Sequence, residues 1–188
     1  MTNRLLPFVD AYVLEPKRFN DTRGWFAVTW GDAAFKDQTG VETSFVQDNM
    51  SRSGKAGTVR GLHYQRAPFA QGKLVRCSRG ALFDAIVDIR VGSPTYGRWG
   101  GVTLTEDNLK QLWVPRGFAH GFATLTDDTE IAYKVDGQYA PDHEGTICWN
   151  DPDLGIDWPF DVSTALLKDE DRDAPALKDA QHGFVWSG

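Results

Sequence analysis

The densest run of chemically capable side chains in this 188-residue chain is Arg60-Gly61-Leu62-His63-Tyr64-Gln65. It sets a proton acceptor beside an anion anchor, because the ordinary histidine pKa of about 6.5 leaves much of the imidazole neutral near pH 7. Strict strand alternation sends Arg60 and His63 to opposite faces. Both reach one pocket only if Gly61 disturbs the pleat, as a bulge or a close backbone approach does. Taken alone, a strand histidine reads as a hydrogen-bonded core residue. Tyr133 lies in the alternating run Thr129–Val135, on the face of Ile131 and Val135, and so points inward. It is either a core tyrosine with a satisfied hydroxyl or a proton donor facing a cavity.

Three further positions depend on what surrounds them. Phe45, Gln47 and Asn49 share one face of the run 44–50. Turned inward, the two amides need partners, at ~1–3 kcal/mol for each left unpaired, and a polar ligand supplies them. Turned outward they need none, and by itself the face reads as solvated. Lys73 follows the turn Gln71-Gly72 and reads as a charge that protects a strand edge, unless it shares a pocket with His63. His120 follows Val114-Pro115-Arg116-Gly117 and begins a Gly/Phe/Ala strand.

The elements that must hold these groups are short strands. Runs rich in β-branched and aromatic residues at 11–14, 24–30, 44–50, 58–65, 73–77, 81–90, 101–104 and 129–135 are punctuated by Gly, Pro, Asp and Asn. That rhythm predicts an antiparallel sandwich or barrel rather than βαβ units. Helix is expected only at 32–38 and in a polar segment near 163–170, with Ser163 as N-cap. The length suits one domain over residues 1–188. Hydrophobic residues make up 41% and charged residues 24%, a balance that excludes a disordered or fibrous chain. Lys+Arg number 20 against 26 Asp+Glu, so the net charge of −6 offers no basic stripe for nucleic acid, although local arginines can hold a small anion. No stretch nears the ~20 apolar residues of a membrane span, and residues 1–10 lack the apolar core of a signal peptide. Cys77 and Cys148 have neither zinc nor disulfide spacing, and a cytoplasmic location is expected.

The two histidines also sit where two motifs of the cupin superfamily place theirs. Gly57 precedes His63 by five intervening residues, and Pro115-Arg116-Gly117-Phe118-Ala119-His120 is similar to the core of the second motif. Metal-binding cupins add a second histidine and a glutamate to the first motif. Gln65 stands in place of that histidine, and no Glu falls within 66–70. Two imidazoles without a carboxylate make a poor divalent site, so no metal is expected and both histidines read as acid/base or anion-stabilising groups.

A closer likeness covers almost the whole chain. Phe19-Asn20-Asp21-Thr22-Arg23-Gly24-Trp25-Phe26, Gln47-Asp48-Asn49, Val59-Arg60-Gly61-Leu62-His63-Tyr64-Gln65, Gln71-Gly72-Lys73, Ser93-Pro94-Thr95-Tyr96-Gly97, Tyr139-Ala140-Pro141 and Trp149-Asn150-Asp151-Pro152, in this order and spacing, resemble the dTDP-4-dehydrorhamnose 3,5-epimerase family. The resemblance implies an all-β, antiparallel jelly-roll (cupin) barrel with a few short helices. It implies an isomerase that inverts C3 and C5 of a nucleotide-linked 4-keto-6-deoxyhexose, turning dTDP-4-dehydro-6-deoxyglucose into dTDP-4-dehydrorhamnose without a cofactor. Both carbons are α to the ketone, so a proton leaves one face, the charge rests on the C4 oxygen as an enolate, and a proton returns on the other face.

Carried over by motif, His63 is the general base and Asp171 its carboxylate partner, with Asp169 the competing choice. Tyr133 is the acid on the opposite face. Lys73, helped by His120, sits near the oxyanion. Arg60 and Arg23 take the pyrophosphate or nucleotide, and Phe19, Gln47, Asn49 and Tyr139 bind substrate. The resemblance further implies a homodimer with exchanged N-terminal strands, in which Arg23 serves the neighbouring site. Val28 departs from the pattern: the family carries Glu there, which leaves the base or sugar preference open. Two other readings remain, a mono-epimerase of a related nucleotide 4-keto sugar and a non-catalytic cupin that binds a sugar nucleotide.

Overall fold

The computed structural model describes residues 2–5 and 7–187. Strands are numbered along the chain. One antiparallel sheet runs, in spatial order, β1 (Thr2–Arg4), β2 (Tyr12–Leu14), β10 (Gln111–Val114), β7 (Lys73–Arg79), β12 (Thr129–Val135) and β5 (Gln47–Ser53). The other runs β13 (Glu144–Thr146), β6 (Val59–Gln65), β11 (Phe118–Thr124), β8 (Ala81–Asp88) and β9 (Trp99–Thr105). From β5 onward the chain crosses between the sheets at almost every connection, which makes the expected jelly roll. A separate hairpin joins β3 (Arg18–Asp21) to β4 (Gly24–Ala27).

Apolar residues on alternate strand positions close the space between the sheets, with Val75, Leu82, Ile86, Leu104, Leu112 and Ile131 at its centre. The five-stranded sheet is also covered outside, where Val59, Leu62, Val87 and Ala119 meet Trp149, Trp158 and Leu177 of the C-terminal third. Burial on both faces accounts for β11, whose seven residues are all buried and mostly small or aromatic. Its partner β8 sets its bounds through the register Phe118↔Asp88 to Thr124↔Leu82, so it begins at Phe118 rather than His120.

Several sequence-based boundaries move for the same reason. Strand 44–50 becomes Gln47–Ser53 because it pairs residue for residue with Thr129–Val135. The run 24–30 stops at Ala27, where its partner β3 ends at Arg18. Strands β3, β10 and β13, absent from the expectation, are three or four residues long and exist through their neighbours. The helix α1 (Asp32–Thr39) forms as expected and ends at Gly40, whose φ of 74° lets its N–H reach Lys36 O at 2.8 Å. Its buried Phe35 packs on Trp30, Phe45 and Trp113. No helix among the described residues is long and apolar enough to cross a membrane.

The segment near 163–170 is not one helix, and Ser163 is not its cap. Asp161 caps a single turn at Val162–Thr164, accepting from Ser163 N at 3.0 Å and Ser163 Oγ at 2.7 Å. The backbone beyond is drawn into sheet-like pairing: Val59 N donates to Leu166 O at 2.9 Å and Leu166 N donates to Gly57 O at 2.9 Å. Helix restarts only at α2 (Asp169–Arg172). This detour lays the C-terminal segment along the start of β6.

Candidate active site

Gly61 breaks the pleat of β6. The register against β11 slips between the pairs His120↔His63 and Phe122↔Arg60, so two residues of β6 oppose the single Gly121. His120 and Phe122 are two apart on one face, and the slip therefore brings Arg60 and His63 to that face as well. Glycine is required: φ at Gly61 is 119°, and a Cβ there would lie 2.6 Å from Gly121 Cα and 2.7 Å from His120 O.

Behind His63 lies a carboxylate from α2. Asp171 Oδ1 is 2.6 Å from His63 Nε2, and Gly61 N donates to Oδ2 at 3.2 Å. The Asp171 side chain is fully buried, with the Lys168 ammonium 3.9 Å from Oδ1. Burial alone raises its pKa, but the bonds from His63 and Gly61 and the nearby positive charge outweigh this and hold the carboxyl below its ordinary range. An ionised carboxylate only accepts, so Nε2 of His63 is the donor to Asp171, which in the neutral ring leaves the lone pair on Nδ1. Asp169 turns away: its side chain is 84% exposed and pairs with Arg172.

His63 opens on a cavity of about 360 Å³ between the sheets, shared with Lys73, Tyr133, Gln47, Asn49 and Tyr139. Because His63 stands on the five-stranded sheet and Tyr133 on the six-stranded one, the imidazole and the phenol occupy facing walls. Burial keeps the Tyr133 hydroxyl protonated, raising its pKa; Arg60 opposes this shift and Glu144 adds to it. Burial pushes the Lys73 ammonium down to about 8, with Asp84 and Glu144 pulling it back up. Lys73 is thus a pocket lysine and not the edge charge its position advertises. Gln47, although exposed, and the half-buried Asn49 both line this cavity, and Gln47 Nε2 donates to Asn49 Oδ1 at 2.6 Å. Two larger clefts, of about 700 and 550 Å³, lie elsewhere; neither includes His63 or His120 in its lining.

His120 stands next to His63 across the strand pair, one layer deeper. Its Nε2 is 2.7 Å from Asp84 Oδ1, and both side chains are buried. Burial lowers the His120 pKa, and Asp84 opposes the shift. Arg60 is exposed and outside the cavity lining, donating to Ser53 Oγ and Arg52 O, each at 3.4 Å, with its charge felt by Tyr133. Phe19 and Arg23 are not brought to this cavity. Both sit on the β3–β4 hairpin, where Arg23 is 87% exposed and paired with Asp21, while Phe19 and Val28 border the 700 Å³ cleft.

The residue reading passed over two contributors. Glu144, at the head of β13, lines the cavity and accepts from the Tyr139 hydroxyl at 3.1 Å, a bond that raises the Tyr139 pKa. Its only sequence signal was a carboxylate soon after Tyr139-Ala140-Pro141. Gln65, which stands where metal-binding cupins carry a second histidine, is a clamp: its amide donates to Phe69 O (2.7 Å) and Gln138 O (3.0 Å) and accepts from Ala140 N (2.9 Å). It ties down the loop that carries Tyr139.

A facing base and acid, with a cation lining the same cavity, can take a proton from carbon on one side of a ring and return it on the other. The family model described as dTDP-4-dehydrorhamnose 3,5-epimerase matches residues 6–179. The chain belongs to this epimerase family. The dTDP-4-dehydrorhamnose 3,5-epimerase of Sinorhizobium fredii is 49% identical over 181 residues, covering 96% of this chain and 92% of its own. The crystal structure of a Legionella pneumophila dTDP-6-deoxy-D-glucose-3,5-epimerase in complex with dTDP-4-keto-L-rhamnose superposes with a TM-score of 0.93 at 39% identity, covering 100% of both chains. A 3'-monoepimerase of Streptomyces bikiniensis in complex with dTDP-quinovose gives a TM-score of 0.86 at 36% identity, over 94% of this chain and 88% of its own. Members of this fold thus include enzymes named for two inversions and for one.

Proposed function

We propose that this chain, acting as one catalytic domain, converts dTDP-4-dehydro-6-deoxyglucose to dTDP-4-dehydrorhamnose by inverting C3 and C5 through an enolate. The observation that carries the reading is the His63–Asp171 pair facing Tyr133 across a cavity that also receives Lys73. His63 Nδ1 takes the α-proton, and the Asp171 carboxylate orients the ring and stabilises the imidazolium that forms. The Lys73 ammonium, backed by His120, faces the C4 oxygen as negative charge develops there; loss of a single oxyanion donor of this kind costs about 10²–10³ in rate. The Tyr133 hydroxyl, kept neutral by its buried setting, returns the proton from the opposite wall. The step balances without a redox partner, since each carbon loses and regains one proton.

Gln47, Asn49 and Tyr139 bind the sugar and nucleotide, and the exposed Arg60 takes the pyrophosphate through its planar fork. Phe19 and Arg23 reach a site only in a neighbouring subunit, so the working form is a homodimer with exchanged N-terminal strands. The apolar surface of the hairpin supports this, with Phe19, Trp25 and Phe26 all more than half exposed. The free thiols of Cys77 and Cys148 fit a cytoplasmic enzyme. Turnover of dTDP-4-dehydro-6-deoxyglucose in deuterated water tests the reading. Two deuterons per product molecule are expected; one deuteron means a mono-epimerase, and none, with tight dTDP binding, means a binding protein.

A further inference from the structure

One fully buried carboxylate of the barrel is left unused by the proposed mechanism. Asp84 lies on β8 with no exposed surface, and one of its oxygens, Oδ1, is held by His120 Nε2 at 2.7 Å. The other, Oδ2, is the single buried side-chain oxygen or nitrogen without a hydrogen-bond partner among the described residues. Buried polar atoms are nearly always paired, so an orphaned carboxylate oxygen calls for a use. The Lys73 ammonium is the complementary oddity, a cation between the sheets that makes no ion pair within the described part of the chain and lies within the electrostatic reach of Asp84.

We propose that Asp84 is a positioning residue for the reaction: its Oδ1 fixes the His120 ring beside His63, and its Oδ2 supplies the buried negative charge that faces the Lys73 ammonium from behind the cavity. This deepens the function proposed above and rests on the role given there to Lys73. Of the other groups facing Lys73, only Glu144 is an anion, and it contributes less. Glu144 on β13 already receives the Tyr139 hydroxyl. Tyr133 on β12 is neutral, and His63 on β6 and His120 on β11 carry either no charge or a positive one. Burial favours the neutral amine, and Asp84 is the first of the two anions that resist it. A carboxylate placed behind the lysine keeps it charged without competing with the enolate for the space in front.

The test is Asp84→Asn in the full chain, read by pH-dependent acetic anhydride labelling of Lys73, mapped by peptide mass spectrometry, and by the pH profile of kcat. In the unaltered enzyme the Lys73 midpoint is expected near 8. In Asp84→Asn it falls by about one unit, and the alkaline limb of kcat falls with it. The deficit at pH 8.5 then exceeds that at pH 6.5 by about sixfold, with KM changed less than about twofold. A purely structural role lowers activity equally across the range. A folded Asp84→Asn protein whose Lys73 midpoint stays in place overturns the proposal. Should that variant not fold, Asp84→Glu carries the test: with the charge retained the midpoint must stay near 8, and a fall of about a unit overturns the assignment. If labelling shifts while the kcat profile does not, the placement of Asp84 stands and the enolate role of Lys73 fails.

Discussion

The cavity and the N-terminal hairpin are built on opposite terms. In the cavity most of the groups with chemistry are held from inside the chain: His63 by Asp171, His120 by Asp84, Gln47 by Asn49 and the Tyr139 loop by Gln65. On the hairpin the backbone ladder is satisfied, and Arg18 anchors it by donating to Asp107 O at 2.7 Å and lying 4.6 Å over the Trp25 ring. Its large side chains nevertheless face outward, with Phe26 64% exposed. Groups that must hold a reactive geometry are fixed by buried partners, whereas an apolar surface without an internal partner marks a place where another surface belongs.

That contrast can be broken at either end. His63→Ala should cost the most, about 10³-fold or more in kcat, while dTDP affinity in calorimetry stays within about twofold. Full activity in this variant removes His63 from the reaction. Tyr133→Phe should follow with about a 10²-fold loss of turnover, and hydrogen–deuterium exchange at the substrate carbon should survive better than product formation. Equal losses of exchange and turnover would refute its role as the acid of the second half-reaction.

The pH profile sharpens the cavity side. Lys73 is charged below a pKa of about 8 and neutral above it, so kcat should fall on the alkaline side of that value, by about tenfold for each further unit. A profile flat to pH 9.5 would mean that the ammonium is not needed. On the hairpin, if the proposed homodimer holds, Phe26→Glu should convert dimer to monomer in sedimentation or light scattering and raise KM by about tenfold, because each cavity would then lose its neighbour's Arg23. A monomer with unchanged KM would show the hairpin to be remote from the site.

Much of this was legible before any coordinates. Tyr133 faces inward because β12 alternates with a period of two, and the demand that Gly61 interrupt the pleat followed from Arg60 and His63 being an odd number of residues apart. The partner of His63 was not legible in the same way. Asp169 and Asp171 sit in one acidic turn, and the choice between them depends on a contact spanning 108 positions, set by the pairing of Leu166 with the start of β6. Lys73, Gln47 and Asn49 read as ordinary solvated residues because nothing local says which sheet will face them. Asp84 gave no signal, being one acid in an unremarkable strand, Glu144 only its place soon after Tyr139-Ala140-Pro141, and the cap falls on Asp161 rather than Ser163, both residues being good caps.

By itself, then, the amino-acid order determined the strand-rich architecture, the family and most of the residues that meet at the cavity, since alternation and motif spacing are written along the chain. Tertiary structure alone decided which carboxylate meets His63, that a lysine at a strand start is enclosed, and that the hairpin aromatics stay more than half exposed. Those outcomes depend on distances between residues far apart in sequence, which arise only once the two sheets have closed on each other.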